Sequence, residues 1–254
     1  MSDELKCIGL ASLIALTAAA QPPSAQTVRL QKRLQEMAAR HRGKVALYAT
    51  DLKTGEAVQL DPDRVVQTAS VIKLLIFVEA FHQIKDGKKS FADPVVFRPD
   101  DRVIGSGILQ YLHAPLALTL EDALVLMMIE SDNTATNLVI DQVGLASVNA
   151  RGARLGLTHT WLYKKVYKPS EGPVPADQKI YGLGKTTARE MASLMAGIDR
   201  CEVGDEKPIV ISAFTYDNKD QRWIFENEGE LLIARMARRI VQAWSPGGVV
   251  GEKK

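Results

Sequence analysis

The chain has 254 residues, 46% hydrophobic and 24% charged, which is the make-up of an ordinary folded protein able to bury a core without disulfide or metal staples. Its formal net charge is +2 with both signs interspersed, and no basic stripe runs along the sequence, which argues against nucleic acid or an anionic membrane surface as partner.

The apolar run Cys7 to Ala20 is too short to span a bilayer and leads into Pro22-Pro23-Ser24-Ala25. This is the shape of a signal peptide over residues 1–25, although Asp3 and Glu4 depart from the usual positive start. The alternative is a buried N-terminal helix. The signal reading predicts a periplasmic or secreted bacterial protein with no stable membrane association after removal. Only Cys201 would then remain, so no intramolecular disulfide is possible.

From Val28, apolar positions at Leu30, Leu34 and Met37 predict an amphipathic helix that Gly43 stops. Val45–Thr50 and Ala57–Leu60 read as paired strands around the turn Asp51–Glu56. A very apolar helix follows from about Ala69 and ends at Asp86-Gly87. Residues 90–118 look irregular, broken by Pro94, Pro99, Gly105, Gly107 and Pro115. Thr119, with Asp122 three residues on, caps a helix through Ile129. The polar break Glu130-Ser131-Asp132-Asn133 precedes a helix over Ala135–Val143, and a short one comes next over Val148–Leu155. Residues 164–185 read as a long surface loop of the kind that carries function. A helix over Ala188–Ile198, a strand over Pro208–Tyr216 and an amphipathic helix over Glu226–Trp244 complete the chain, with a frayed tail.

Ser70 and Lys73 stand three residues apart at the start of the apolar helix and share one face, so the amine can reach the hydroxyl. A serine is a poor nucleophile until a neighbour takes its proton. A lysine can be that neighbour when apolar packing and the positive end of a helix disfavour its ammonium form. The same residues also fit a helix cap and a surface lysine with a snorkelling stem.

Ser70-Val71-Ile72-Lys73 followed by Ser131-Asp132-Asn133 between two helices resembles the class A β-lactamases and the wider penicillin-recognising serine hydrolases. The run Met127 to Leu138, the Asp51–Gly55 hairpin, the stretch Thr186–Glu190 and the last strand and helix share in the resemblance. It implies an α+β fold: an antiparallel sheet built from both chain ends and flanked by helices, with an all-helical lobe inserted over about residues 67–200 of a catalytic domain at 26–254. It also implies that Ser70 attacks a lactam carbonyl, that Lys73 accepts a proton, and that Ser131 passes one to the leaving nitrogen. Asn133 would bind the substrate's side-chain amide, and Asp132 would hold the loop. For deacylation the family uses a glutamate in the loop before the Thr-capped helix; Glu171 is the only glutamate there.

The family's third motif, Lys-Thr/Ser-Gly on a sheet strand, has no counterpart in the expected place. Lys53-Thr54-Gly55 lies in the first hairpin turn, and Lys185-Thr186-Thr187 lacks the glycine. Cys201 to Lys207 is too short for the missing helix and strand, which predicts an internal deletion and a sheet with fewer strands. That strand would supply the second oxyanion donor, whose loss can cost about a hundred- to thousandfold in rate.

The sequence therefore predicts a serine β-lactamase-type hydrolase, with a penicillin-binding D,D-peptidase or esterase, or a disabled remnant, as alternatives. The substrate class is a small β-lactam or a peptidoglycan-like molecule, and a monomer is expected. His41, His82, His113 and His159 show no metal-ligand spacing, so neither metal nor cofactor is implied.

Overall fold

The computed structural model describes residues 22–170, 172–173, 175–202, 208–224 and 226–245. The expected signal segment up to residue 21, Glu171, residues 203–207 of the expected deletion and the tail from 246 lie outside the described residues. In chain order the elements are α1 (Ala25–Ala39), β1 (Lys44–Asp51), β2 (Ala57–Leu60), β3 (Val66–Gln67), α2 (Lys73–Lys85), β4 (Pro94–Phe97), β5 (Leu116–Thr119) and α3 (Leu120–Ile129). There follow α4 (Asn133–Val143), α5 (Leu145–Arg154), β6 (Trp161–Leu162), α6 (Gln178–Tyr181), β7 (Gly184–Thr186), α7 (Ala188–Glu202), β8 (Ile209–Tyr216) and α8 (Glu228–Trp244). The fold is α+β, with antiparallel sheets and flanking helices. Two compact units divide it: one takes residues 67–186, the other the stretches on either side.

The unit made from the chain ends is organised on β1, which lies between β2 and β8 and is antiparallel to both. Alternate residues of a strand face opposite ways, and β1 buries both sets. Val45, Leu47 and Ala49 pack with Leu34 of α1 and Met236 and Ile240 of α8, whereas Ala46 packs with Val66 and Ala188. On that second side Ala192 and Ala196 of α7 meet Val210 of β8. A strand covered on both faces needs a nearly continuous apolar sequence, and Val45-Ala46-Leu47 supplies it. Among the described residues the sheet has three strands, and β8 has β1 as its one strand neighbour.

Helix α7 was expected in the inserted lobe, but it packs on this sheet, and the inserted unit ends at Thr186. The first and last helices run antiparallel: the Trp244 indole N–H donates to Thr27 Oγ1 over 2.9 Å, and at the other end Arg42, just past α1, pairs with Glu228. Arginines from the two ends of the chain gather along these helices, a basic surface that the linear sequence does not display.

In the inserted unit, the cores of α2, α3, α4 and α5 pack through residues such as Leu75, Ile76, Leu124, Met127, Val139 and Val148. Glu79 of α2 and Arg151 of α5 form a pair at 2.7 Å with side chains 3% and 11% exposed, and Gln83 donates to the same carboxylate over 2.8 Å. A buried charge is tolerable when paired and hydrogen-bonded in this way. Helix α3 begins with the expected capping box: Thr119 Oγ1 accepts from Asp122 N–H, and the Asp122 carboxylate accepts from Thr119 N–H.

Residues 90–118, expected to be irregular, contain β4 and β5, paired with Val95 opposite Leu118 and Phe97 opposite Leu116. Pro94 takes the first position of its strand, where a missing N–H is tolerated, and Val95 and Phe97 turn inward while Pro94 and Val96 face solvent. The long loop after residue 164 carries α6 and β7, and β7 pairs with β6.

Candidate active site

The approach to α2 is held by main-chain bonds. Thr68 N–H donates to Gly184 O of β7 over 3.0 Å. Gly184 has no room for a side chain, since a Cβ there would lie 2.7 Å from Trp161 O. Ala69 takes a left-handed φ of 44°, a conformation uncommon outside glycine and one that clusters at functional sites. Residues Ala69–Ile72 then form a single 3-10 turn before α2 begins at Lys73. Ser70 is exposed in that turn, where a backbone N–H has no helical carbonyl behind it to bond.

Lys73 is 3% exposed. Its Nζ lies 2.5 Å from Ser131 O, 3.0 Å from Ser131 Oγ and 3.2 Å from Asn133 Oδ1; Ser70 is not among its hydrogen-bond partners. Burial lowers the Lys73 ammonium from its ordinary range to about 8, against an upward pull from the Asp132 carboxylate. The ammonium remains the main form near physiological pH, and a minority of the amine is neutral. As an ammonium Lys73 donates to all three oxygens; on losing a proton it keeps two N–H groups for the two carbonyl oxygens and offers its lone pair to Ser131 Oγ–H.

The Ser131-Asp132-Asn133 segment joins α3 to α4. Ser131 is left-handed, with φ 50°, which points its side chain and its carbonyl at Lys73. Asp132 is the N-cap of α4 and is 1% exposed. Its carboxylate accepts from Ala135 N–H over 2.9 Å and from Leu109 N–H over 2.8 Å. Both bonds are charge-assisted. They tie the segment to the 105–109 loop, which also receives Asn133 N–H at Ser106 O, while the Asn133 amide donates to Ile104 O just before it. The glycines that break the sequence pattern there are needed for contact. A Cβ on Gly107 would fall inside the backbone and carboxyl of Asp132, and one on Gly105 would meet Asn133 Nδ2 at 2.7 Å.

One turn along α4 from Asn133, and on the same face, the buried Asn137 brackets the long loop. It accepts from Val166 N–H over 2.8 Å and donates to Val166 O over 3.0 Å. The loop residue fixed against this face is thus a valine, 8% exposed, whose side chain has no acid or base function.

The structure brings Lys73, Ser131 and Asn133 into direct contact, sets Ser70 one helical turn before Lys73 and makes Asp132 the brace beneath them. Glu171 lies outside the described residues. Lys53-Thr54-Gly55 is a turn between β1 and β2: Asp51 Oδ1 accepts from Lys53 N–H over 2.7 Å, and Gly55 has φ 75°. Sequence reasoning missed Gly105, Gly107, Asn137 and Val166. The Gly105-Ser106-Gly107 cluster was a signal for close backbone approach; the Asn137–Val166 contact left none.

A family model described as the β-lactamase enzyme family matches residues 29–207. The chain belongs to that family, one of serine hydrolases of the β-lactamase kind. No curated protein matches it. Among solved structures, the β-lactamase of Sphaerobacter thermophilus is 23% identical with a TM-score of 0.68, covering 86% of this chain and 96% of its own. A single-residue mutant of PBP-A, solved as an acyl-enzyme complex with penicillin G, is 22% identical with a TM-score of 0.70, covering 89% and 100%. An ancestral class A β-lactamase is 17% identical with a TM-score of 0.69, covering 85% and 100%. At these identities the likeness establishes the fold.

Proposed function

We propose that this protein is a serine acyl-transfer enzyme that opens β-lactams, or peptidoglycan-like amides, through an acyl-enzyme at Ser70. The observation that carries the proposal is the buried Lys73 amine, held near pKa 8 against Ser131 Oγ and Asn133 Oδ1. Ser70 Oγ adds to the carbonyl carbon and its proton passes to neutral Lys73, three residues on and one turn along the same face. The oxyanion is met by the Ser70 N–H at the helix start. As the C–N bond breaks, Ser131 gives its proton to the leaving nitrogen and takes one from Lys73, which leaves Lys73 neutral and Ser70 esterified. One N–H of Asn133 serves Ile104 O; the other is available for the substrate amide.

A second reading concerns release. Among the described residues the charged neighbour acting on Lys73 is Asp132, and Asp132 is committed to two backbone N–H groups. The residue fixed opposite Asn137 is Val166, which cannot activate water. With Val166 at this position hydrolysis falls to Glu171 as base, and if Glu171 does not serve, the acyl-enzyme is long-lived, as in a penicillin-binding protein. The export signal expected at the N-terminus would place the enzyme where such substrates occur.

The test is intact-mass spectrometry of the purified protein mixed with a penicillin, with product followed in the same tube and Ser70→Ala as control. A lasting adduct on the wild type, absent from the control, supports acylation with slow release. Fast product formation dependent on Ser70 supports hydrolysis and overturns the second reading. Neither adduct nor product from folded protein overturns the proposal.

A further inference from the structure

A groove of about 820 Å³ runs between α1 and α8, within the sheet-bearing unit, and the acyl-transfer reaction does not use it. Six arginines line it, Arg33, Arg40, Arg42, Arg235, Arg238 and Arg239, with Glu228 as the one acid in the wall among the described residues. They reach it by helical spacing: Arg33 and Arg40 are seven apart along α1 and its cap, and Arg235, Arg238 and Arg239 are three and four apart on α8, so each set shares a face.

Two of the six are already matched, Arg42 by Glu228 and Arg33 by Glu36 at 3.1 Å. Arg40, Arg235, Arg238 and Arg239 are exposed and have no acidic partner among the described residues. Like charges gathered this closely repel one another, a standing cost that a multivalent anion would relieve. The guanidinium fork matches phosphate oxygens two at a time, and the volume lies in the upper range of clefts that hold discrete ligands.

We infer that the α1–α8 groove is a binding site for a ligand carrying two or more clustered phosphate groups. A single phosphate would engage only part of the arginine set. The apolar wall formed by Met37, Leu231 and Leu232 leaves room for a phosphate-bearing head group as well as for a soluble oligophosphate. The two sources share the recognition chemistry and differ in the body to which the phosphates are attached.

The experiment is titration calorimetry of the full chain with inorganic tripolyphosphate, beside co-sedimentation with vesicles containing cardiolipin, whose head group carries two phosphates, and with phosphatidylcholine vesicles. Arg239→Glu is the test variant. Arg29→Glu is the control, an equal change of charge on an exposed residue of α1 that does not line the groove. Circular dichroism verifies that both are folded, and Arg235→Gln/Arg239→Gln replaces the test variant if charge reversal unfolds it. Tripolyphosphate binding that weakens about tenfold or more in Arg239→Glu and less than twofold in Arg29→Glu supports the site. Binding confined to the cardiolipin vesicles, with the same dependence on Arg239, supports it with a lipid head group as the source. No binding to either probe, or equal loss in both variants, overturns it, the latter because attraction to net charge alone would then suffice.

Discussion

Replacing Asp132 by Asn separates what this residue does for the fold from what it does for the site. The carboxylate accepts two backbone bonds, from Leu109 at 2.8 Å and Ala135 at 2.9 Å, and it raises the Lys73 pKa against the effect of burial. An amide keeps one acceptor oxygen and sets its NH2 against the other N–H. Losing one charge-assisted bond and leaving a buried donor unmatched costs about 2–3 kcal/mol, or about 5–10 °C in Tm for a chain of this size. The effect on Lys73 has the opposite benefit. Without the carboxylate the ammonium loses its favourable neighbour, so its pKa falls below about 8 and the neutral fraction near physiological pH rises. The expected result is a less stable protein whose acylation rate, followed by stopped flow with a fluorescent penicillin from about pH 6 to 9.5, climbs at lower pH than in the wild type. An alkaline shift of that profile, or an unchanged Tm, would refute the assignment of Asp132 as both brace and electrostatic partner.

Lys73 should also leave a mark on stability. The unfolded chain holds this proton to about pH 10.5 and the folded chain releases it near 8, so the unfolded state binds more protons between those values. Stability should therefore rise with pH across that window, by up to about 3 kcal/mol; urea denaturation of wild type against Lys73→Met measures it, and identical slopes for the two would count against a buried amine. Gly107→Ala forces a side chain into Asp132 at φ 102°, and should destabilise the protein by more than about 3 kcal/mol and abolish acylation, read by thermal melting and adduct mass. Glu79→Ala leaves Arg151 buried without its partner and should cost about 3–5 kcal/mol, seen in chemical denaturation; a loss under about 1 kcal/mol would mean that water already screens the pair.

The parts of this structure that could be read from the sequence are those with long local periods. Helices α1, α2, α3, α4 and α8 and strands β1, β2 and β8 each repeat their apolar positions often enough to declare themselves. The nearness of Ser70 and Lys73 in sequence was legible from spacing, whereas the meeting of Lys73 with Ser131 and Asn133 was implied by the family resemblance alone. Strands β3, β6 and β7, of two or three residues, are too short to show a period, and β4 and β5 were hidden by Pro94 and Pro115. Amphipathicity showed that α7 has an apolar face but not which unit covers it. Val166 meets Asn137 twenty-nine residues away, and the groove arginines come from opposite ends of the chain; only the closed fold brings either set together.

The sheet's construction from both termini also orders events during synthesis. The central strand, β1, leaves the ribosome well before its partner β8 and the covering helix α8. Until they arrive, one edge of β1 is unpaired and its α8-facing side is covered by α1 alone, while residues 67–186 already have all of their own helices. Closing the sheet requires a contact between nearly opposite ends of the chain, the slow kind of contact in folding. The nascent protein therefore passes through a stage in which Lys73 and Ser131 can already meet within one unit while the other unit is still waiting for its final strand.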